Sequence, residues 1–483
     1  MDEIIGRHEH VARMHKALKS DKAEMVALVG RRRVGKTYLI RKVYDHVMDF
    51  ELTGIQYATK GEQLHNFVIA MTQYFPGYPI STRPSSWLDA FHELSQALEQ
   101  YDRGRKQVVF IDELPWLGSK RSGFIKGLSH FWNSWASKRN IVVVICGSAA
   151  SWMIDKVINN KGGLHNRVTM LLQLDPFTLA ETEAYCKYRN IKLNRYQILQ
   201  IYMVMGGIPM YLDQLQPGLS AVQNIQEVCF SRLGYLRQEF DRLFASLFDN
   251  YQNHIEIVRA LATKRRGMTR QEIIAASSFS NGGMLSSILE ELFLSGFIGI
   301  YSAYDKKTKQ RLYRLTDAYS LFYLTYLDKL GPNTNTDFTK LSDLPSWKSW
   351  SGYTFENICM AHIDHMREAM GISGIATSTS TFIAKPKDGF TGAQIDLLID
   401  RNDQSINICE MKYSTTDYEL TKTEAAKIEN RKKVFRYHTK TKKHLFTTLV
   451  TTHGVIDNAH RLNHVDGEVV LDDLFVDLDQ KLK

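Results

Sequence analysis

No stretch of this 483-residue chain approaches the roughly 18 consecutive apolar residues that a membrane-spanning helix needs. A membrane protein is therefore not expected. The opening residues, Met1 to Arg7, lack a basic start followed by an apolar core, which argues against a secretory signal. Cysteine is scarce. Cys146, Cys186, Cys229, Cys359 and Cys409 are five, an odd number, lie far apart and form no C-x-x-C pair. That pattern fits reduced thiols in a cytoplasm and excludes a disulfide framework or a zinc ribbon. The sixteen histidines are scattered without metal-ligand spacing.

What is present is an ordinary globular composition, 44% hydrophobic and 23% charged, with a net charge of +9. The positive balance favours a polyanionic partner without identifying a site. The length suggests about three domains.

Gly30-Arg31-Arg32-Arg33-Val34-Gly35-Lys36-Thr37 reads G-x-x-x-x-G-K-T. The apolar run Met25–Val29 before it reads as a buried strand, and the stretch from Tyr38 to Val43 after it reads as a helix. Strand, glycine loop and helix N-terminus together form a phosphate cradle for ATP. In that cradle the loop N–H groups of Gly30 to Tyr38 surround the phosphates, Lys36 reaches the β- and γ-phosphates, and Thr37 ligates Mg²⁺. The run Val108 to Ile111 ends in Asp112-Glu113, which places two acids at the C-terminal edge of a buried parallel strand. Asp112 is suited to hold Mg²⁺ through water, and Glu113 to polarise the attacking water.

A third buried strand, Ile141 to Gly147, ends at Ser148. Its hydroxyl could contact the γ-phosphate or the attacking water, although a strand-terminal turn would place a serine there equally. Arg167 precedes a further strand at Val168–Leu172. It could face a nucleotide in its own chain or in a neighbouring copy, which leaves a homo-oligomer open, or simply be a surface arginine. Met205-Gly206-Gly207-Ile208-Pro209 interrupts a helical region and lets backbone come close to another segment.

The Gly6-Arg7 start, the two nucleotide motifs, the Cys146-Gly147-Ser148 strand end, Leu174-Asp175-Pro176-Phe177 and the Gly206-Gly207-Ile208-Pro209 segment resemble the archaeal-type ATPases of the AAA+ class, grouped with the STAND NTPases. The resemblance covers about residues 1–240. It implies an α/β P-loop fold with a five-stranded parallel sheet (1–175), a helical lid (176–248), and Pro209 against the base or ribose.

Residues 249–330 read as three helices followed by two strands, joined by the basic segment Asp305 to Lys309. That order is a winged helix, able to bind DNA through its third helix and wing or to act as a packing module. Within 331–483, Glu356 stands on a helix, Asp396 on a strand, and Glu410 and Lys412 on the next strand, two apart and on one face. Two carboxylates and a lysine on one sheet face can bind Mg²⁺ through Asp396 and Glu410 and activate a water against a phosphodiester, with Glu356 completing the metal shell. The set resembles the PD-(D/E)xK, restriction-endonuclease-like fold, with the departure that Ile395 replaces the proline. Residues 422–443 carry Lys422, Lys427, Arg431, Lys432, Lys433, Arg436, Lys440, Lys442 and Lys443 against Glu424 and Glu429, a face suited to a DNA backbone. The expected function is an ATPase coupled to DNA binding or Mg²⁺-dependent cleavage. The alternative is a nucleotide-dependent switch with a non-catalytic C-terminal domain.

Overall fold

The computed structural model describes every residue except 1–3, 81–82, 120, 159–163, 165, 305–310, 331–335, 387–390 and 479–483. The Gly162-Gly163 loop, the basic wing and most of the expected linker fall outside the described residues. The chain forms two compact units, one made of Met1–Pro176 with Leu247–Asp249 and Leu294–Gly296, and the other holding the rest of the chain from Phe177 onward.

The first unit is built on five strands, β1 (Glu24–Val29), β2 (Met48–Thr53), β3 (Gln107–Asp112), β4 (Ile141–Gly147) and β5 (Met170–Gln173), in the order β2-β3-β4-β1-β5. Every pairing is parallel. In β3 and β4 every residue is buried, and in β1 all but Glu24. Such unbroken apolar runs are what a sheet covered on both faces requires. The spatial order brings the ends of β3, β4 and β1 side by side, although they lie far apart in sequence. Helix α1 (His8–Lys19) precedes the sheet, and the helices connecting its strands include α2 (Lys36–Tyr44), α3 (Lys60–Tyr74), α4 (Trp87–Gln100) and α5 (Phe124–Ser134).

The second strand lies at Met48–Thr53 rather than at Leu52–Tyr57, where the apolar pattern puts it. Its acids obscure it. Asp49 is buried, and the Arg105 guanidinium grips both of its oxygens at 2.8 and 2.9 Å. The Val108 N–H donates to the same carboxylate at 2.8 Å. A buried charge that is fully paired in this way is tolerated inside a strand.

The second unit begins with α6 (Leu179–Tyr188) and α7 (Arg195–Met205). Thr178 and Glu181 close a capping box on α6. Of the two glycines after α7, Gly207 answers to a close approach. Phe177 N–H donates to Gly207 O at 2.6 Å, and a Cβ at Gly207 would stand 1.9 Å from Phe177 O. Pro209 then opens a single turn, Pro209–Leu212.

Next come α8 (Tyr251–Thr263), β6 (Met268–Thr269), α9 (Arg270–Ala275), α10 (Gly283–Leu294), β7 (Ile298–Ser302) and β8 (Arg311–Leu315). These strands form an antiparallel sheet in the order β6-β8-β7. After α11 (Pro345–Ala361) comes a mixed sheet of β9 (Thr377–Ala384), β10 (Ala393–Arg401), β11 (Ser405–Lys412), β12 (His444–Thr451) and β13 (Gly467–Val470), ordered β13-β12-β11-β10-β9. The β9-β10-β11 pairs are antiparallel, whereas β11, β12 and β13 run parallel. A parallel pair needs a crossover, and α12 (Lys422–Thr439) supplies it between β11 and β12. Val434 and Phe435 of α12 pack on Ile395, Leu398, Ile406 and Ile408 of the sheet.

Most of the segments expected as lid and winged helix, and all of the expected C-terminal domain, lie in this one unit. Tyr304 N–H donates to Thr381 O at 2.8 Å, joining the end of β7 to β9. The hydroxyls of Tyr196 on α7 and Tyr413 after β11 share a hydrogen bond of 2.6 Å, and their rings stack. His362 accepts at Nε2 from the Leu179 N–H, 3.2 Å away, at the start of α6.

Candidate active sites

The loop after β1 is shaped by what stands behind it. A Cβ at Gly30, where φ is 152°, would sit 2.3 Å from Leu174 O, so only glycine lets the loop pass the end of β5. Lys36, 5% exposed, folds back and donates from Nζ to Gly30 O at 2.8 Å and Arg31 O at 2.9 Å. Burial pulls its ammonium below the usual lysine range, opposed by Cys146 and the carboxylates of Glu113 and Asp112. Arg31 is buried, and Arg32 and Arg33 are half-buried. Val34 is packed into the interior, so its contribution to a phosphate is its backbone alone. Tyr38 turns outward beneath Lys42.

Thr37 Oγ1 donates to Asp112 Oδ2 at 2.8 Å, and the Glu113 N–H donates to Asp112 Oδ1 at 2.9 Å. A hydroxyl and a carboxylate converging beside a helix N-terminus are the hard oxygen donors that Mg²⁺ takes. Thr37 and Asp112 would hold that ion, which neutralises charge on the β- and γ-phosphates when bound.

Glu113 leaves β3 in the left-handed region, at φ 48° and ψ 49°. Its side chain meets Ser148 twice. Ser148 Oγ donates to Oε1 at 2.5 Å, and the Ser148 N–H donates to Oε2 at 3.2 Å. Ser148 thus commits both of its donors to Glu113, rather than presenting a free hydroxyl for phosphate.

Arg167 requires a correction. It precedes β5, and Thr169 N–H donates to Met25 O at 2.9 Å, which puts this stretch at the N-terminal edge of the sheet. The phosphate loop lies at the other edge, six strand residues away, or about 20 Å at 3.3 Å per residue. Exposed Arg167 therefore does not join the nucleotide site of its own chain. Pro209 lies in the second unit.

The second constellation lies on the sheet of the second unit. The ladder pair Leu397↔Cys409 brings Asp396 and Glu410 to its next step. Asp396 sits where the β9-β10 register shifts between Ile395 and Leu398, an irregularity of the kind that re-aims side chains beside sites. Glu410 is buried, and Arg431 Nη1 pairs with its Oε2 at 3.0 Å while Lys412 Nζ stands 3.9 Å from the same oxygen. Arg431 Nε donates to Gln394 O at 3.0 Å, and Gln394 Nε2 donates to Asp396 Oδ1 at 2.7 Å. Glu356 accepts from Arg314 Nη2 at 3.0 Å, and that buried guanidinium lies 4.4 Å over the Tyr353 ring. Burial and the neighbouring Asp396 push the Glu356 carboxyl up to about 7, against Arg314 and Lys412. Burial also raises Glu410, against Arg431 and Lys412.

The four residues of the expected set, Glu356, Asp396, Glu410 and Lys412, are brought together. Asp396 and Glu410, the two carboxylates expected to take Mg²⁺, stand at facing register positions. Among the described residues no group of three or more His, Cys, Asp or Glu is gathered to hold a metal ion. Arg431 takes one oxygen of Glu410, and the Gln394 amide takes one oxygen of Asp396. Sequence reading missed Arg314 and Gln394 as members of this site and took Arg431 as part of a basic face suited to a DNA backbone. Nothing in their spacing singles them out.

A strand, phosphate loop and helix, with an acid pair on a strand two places along the sheet, define a P-loop ATPase. Residues 5–215 match the family described as an ATPase domain predominantly from Archaea, and the protein is an ATPase. An uncharacterised protein of Methanocaldococcus jannaschii is 22% identical over 419 residues, spanning 85% of this chain and 87% of its own. Among solved structures, a Walker-type ATPase of Pyrococcus abyssi is similar at a TM-score of 0.45 and 18% identity, covering 67% of this chain and 96% of that one. The ORC2 protein of Aeropyrum pernix is similar at 0.42 and 16%, covering 67% and 93%. Among the described residues no helix is long and apolar enough to cross a membrane.

Proposed function

We propose that this ATPase couples ATP turnover to nucleic-acid binding by its C-terminal domain. The observation that carries the reading is the cationic face of α12. Lys422, Lys427, Lys433, Arg436, Lys440 and Lys442 are all exposed, while Arg431, Lys432 and Lys443 of the same stretch turn to carboxylates. A run of solvated cations on and just after one helix suits a DNA backbone, whose charge dominates such affinity. The domain is read as restriction-endonuclease-like, and the segment from α8 to β8 as a winged helix. The third helix of that winged helix, α10, carries Glu290 and Glu291 and no Lys or Arg. DNA contact is accordingly assigned to α12 and not to α10. The lysines of the expected wing lie outside the described residues.

A second reading, a nucleotide-dependent switch with a non-catalytic C-terminal domain, is favoured by one observation. Two carboxylates of the cluster, Glu410 and Glu356, are held by Arg431 and Arg314. The deciding experiment titrates the full chain with single-stranded, duplex and branched DNA at several salt concentrations, with and without ATP. The same samples with Mg²⁺ or Mn²⁺ are assayed for cleavage, with Asp396→Ala as control. Affinity that falls steeply with salt supports the first reading, and cleavage lost in Asp396→Ala adds a nuclease to it. No DNA affinity, with an oligomer size that changes with nucleotide, replaces it with the second.

A further inference from the structure

We propose that the edge of the first unit's sheet opposite the phosphate loop is a docking surface for the phosphodiester backbone of duplex nucleic acid. The strands are parallel, so the segments entering β4, β1 and β5 meet at that edge. Counting back from Glu24↔Val142 and Val26↔Met170 sets Lys22, Asn140 and Asn166 level with one another. With Lys138, Arg139 and Arg167 they line a cleft of about 590 Å³. A second cleft, about 560 Å³, adjoins it at Thr169 and is lined by Arg13, Lys16 and Lys19 of α1.

Most of this charge is uncompensated. Lys16, Lys19, Lys22, Lys138 and Arg167 are exposed, and among the described residues none of them pairs with a carboxylate. Arg13 and Arg139 do, with Glu9 and Glu99. The acids lining the two clefts are Asp21 and Glu24, and Glu24 already accepts from Ser20 Oγ at 2.7 Å.

The segments that carry these cations are fastened. Buried Lys106 donates from Nζ to Ser20 O at 2.6 Å and to Lys22 O at 2.5 Å. The Gln107 N–H donates to Asn140 O at 2.9 Å, and the Met25 N–H donates to Thr169 Oγ1 at 3.0 Å. The cations are therefore spaced before a partner arrives, and binding has little backbone to order.

The surface fits backbone rather than bases. Trp132 is 4% exposed, and Trp135 is half-buried with the Arg139 guanidinium 5.5 Å over its ring, so neither offers a face for a base to stack on. Binders of single strands rely on such stacking. Lysine, arginine and asparagine side chains contact phosphate oxygens without reading sequence. Strung along two joined clefts instead of gathered at one point, they suit successive phosphates better than one small anion. All of these residues belong to the first unit, so the surface does not depend on α12.

The test uses the full chain with Lys22→Gln/Lys138→Gln, with Lys16→Gln/Lys19→Gln, and with Lys433→Gln/Arg436→Gln as the α12 counterpart. Affinity for a DNA duplex and for a single strand of the same length is titrated between about 50 and 200 mM salt. Each lost phosphate contact flattens the dependence of log affinity on log salt by about 0.9. Either pair at the sheet edge should therefore flatten it by about two and weaken duplex binding about 10- to 30-fold near 0.15 M salt. The loss should be smaller for the single strand. The four lysines are exposed, so the thermal midpoint should stay that of the parent. Unchanged duplex affinity and slope in both edge pairs would overturn the proposal, and a loss confined to the α12 pair would leave only the C-terminal reading standing. A loss confined to the edge pairs would support this surface and remove α12. Weaker binding with a lowered midpoint would make the lysines structural and overturn it, as would a loss for the single strand as large as for the duplex.

Discussion

Lys36 carries a cost that only phosphate can repay. Its ammonium is almost fully buried and satisfied by two carbonyls of its own loop. Lys36→Ala should bring ATP hydrolysis down by at least about 10²-fold, as expected on losing a preorganised charge at the transferring phosphate. Measured phosphate release that persists in the variant would remove Lys36 from the reaction. Arg431 poses the reverse problem. Removing it strands the buried Glu410 charge. Arg431→Met should cost about 1–3 kcal/mol of unfolding free energy near neutral pH, the usual penalty for an unpaired buried group that keeps one weaker partner, here Lys412. Burial already raises Glu410, so the deficit should shrink as pH falls and the carboxyl protonates. Urea titrations at neutral and acidic pH check both the size and the trend. At this scale the nucleotide residues are legible in the sequence because the chemistry demands a contiguous motif. Arg314 and Glu356 are not legible as partners, since the pair joins β8 to α11 across 42 residues with no pattern between them.

At the scale of elements, the helix α6 begins with a borrowed cap. Its Leu179 N–H is accepted by His362 Nε2, while His362 Nδ1 donates to Ile358 O at 2.8 Å. The imidazole must be neutral to accept. Burial, with His365 nearby, pulls it down to about 4. A base whose folded value lies below its unfolded 6.5 contributes stability that is complete above that value and is lost as pH falls towards the folded value. The second unit should therefore weaken between about pH 6.5 and 4, by up to about 1.4 kcal/mol per pH unit. His362→Asn, which can accept but does not titrate, should flatten that slope in denaturant titrations. The helices are the more legible elements here. Expected α10, from Gly283 to Ser295, ends one residue earlier at Leu294. Strand β2 is misplaced by the apolar pattern because Asp49 and Glu51 read as surface until Arg105 and Arg41 are seen to pair with them.

The whole molecule divides where the fold expectation divides only in part. The first unit holds Met1–Pro176 together with the short segments Leu247–Asp249 and Leu294–Gly296. The sequence pattern splits the remaining chain into three pieces, and composition cannot reveal that they share one compact unit. The contacts responsible, Tyr196 with Tyr413, Leu179 with His362 and Tyr304 with Thr381, each join residues more than 70 apart. A fragment of residues 177–483 should unfold as one cooperative transition in calorimetry. Two separated transitions would refute that.

The Tyr196–Tyr413 bond has a practical corollary for anyone dissecting this protein. Tyr413 is the residue after Lys412, so α7 is fastened beside the acid and lysine cluster rather than hanging free from the ATPase core. Cutting the gene at residue 248, the natural place on an ATPase-plus-lid view, would unglue α7 from its neighbour and leave the Leu179 amide bare. Such a half-protein would be sticky in the test tube, and its lost activity would say nothing about catalysis.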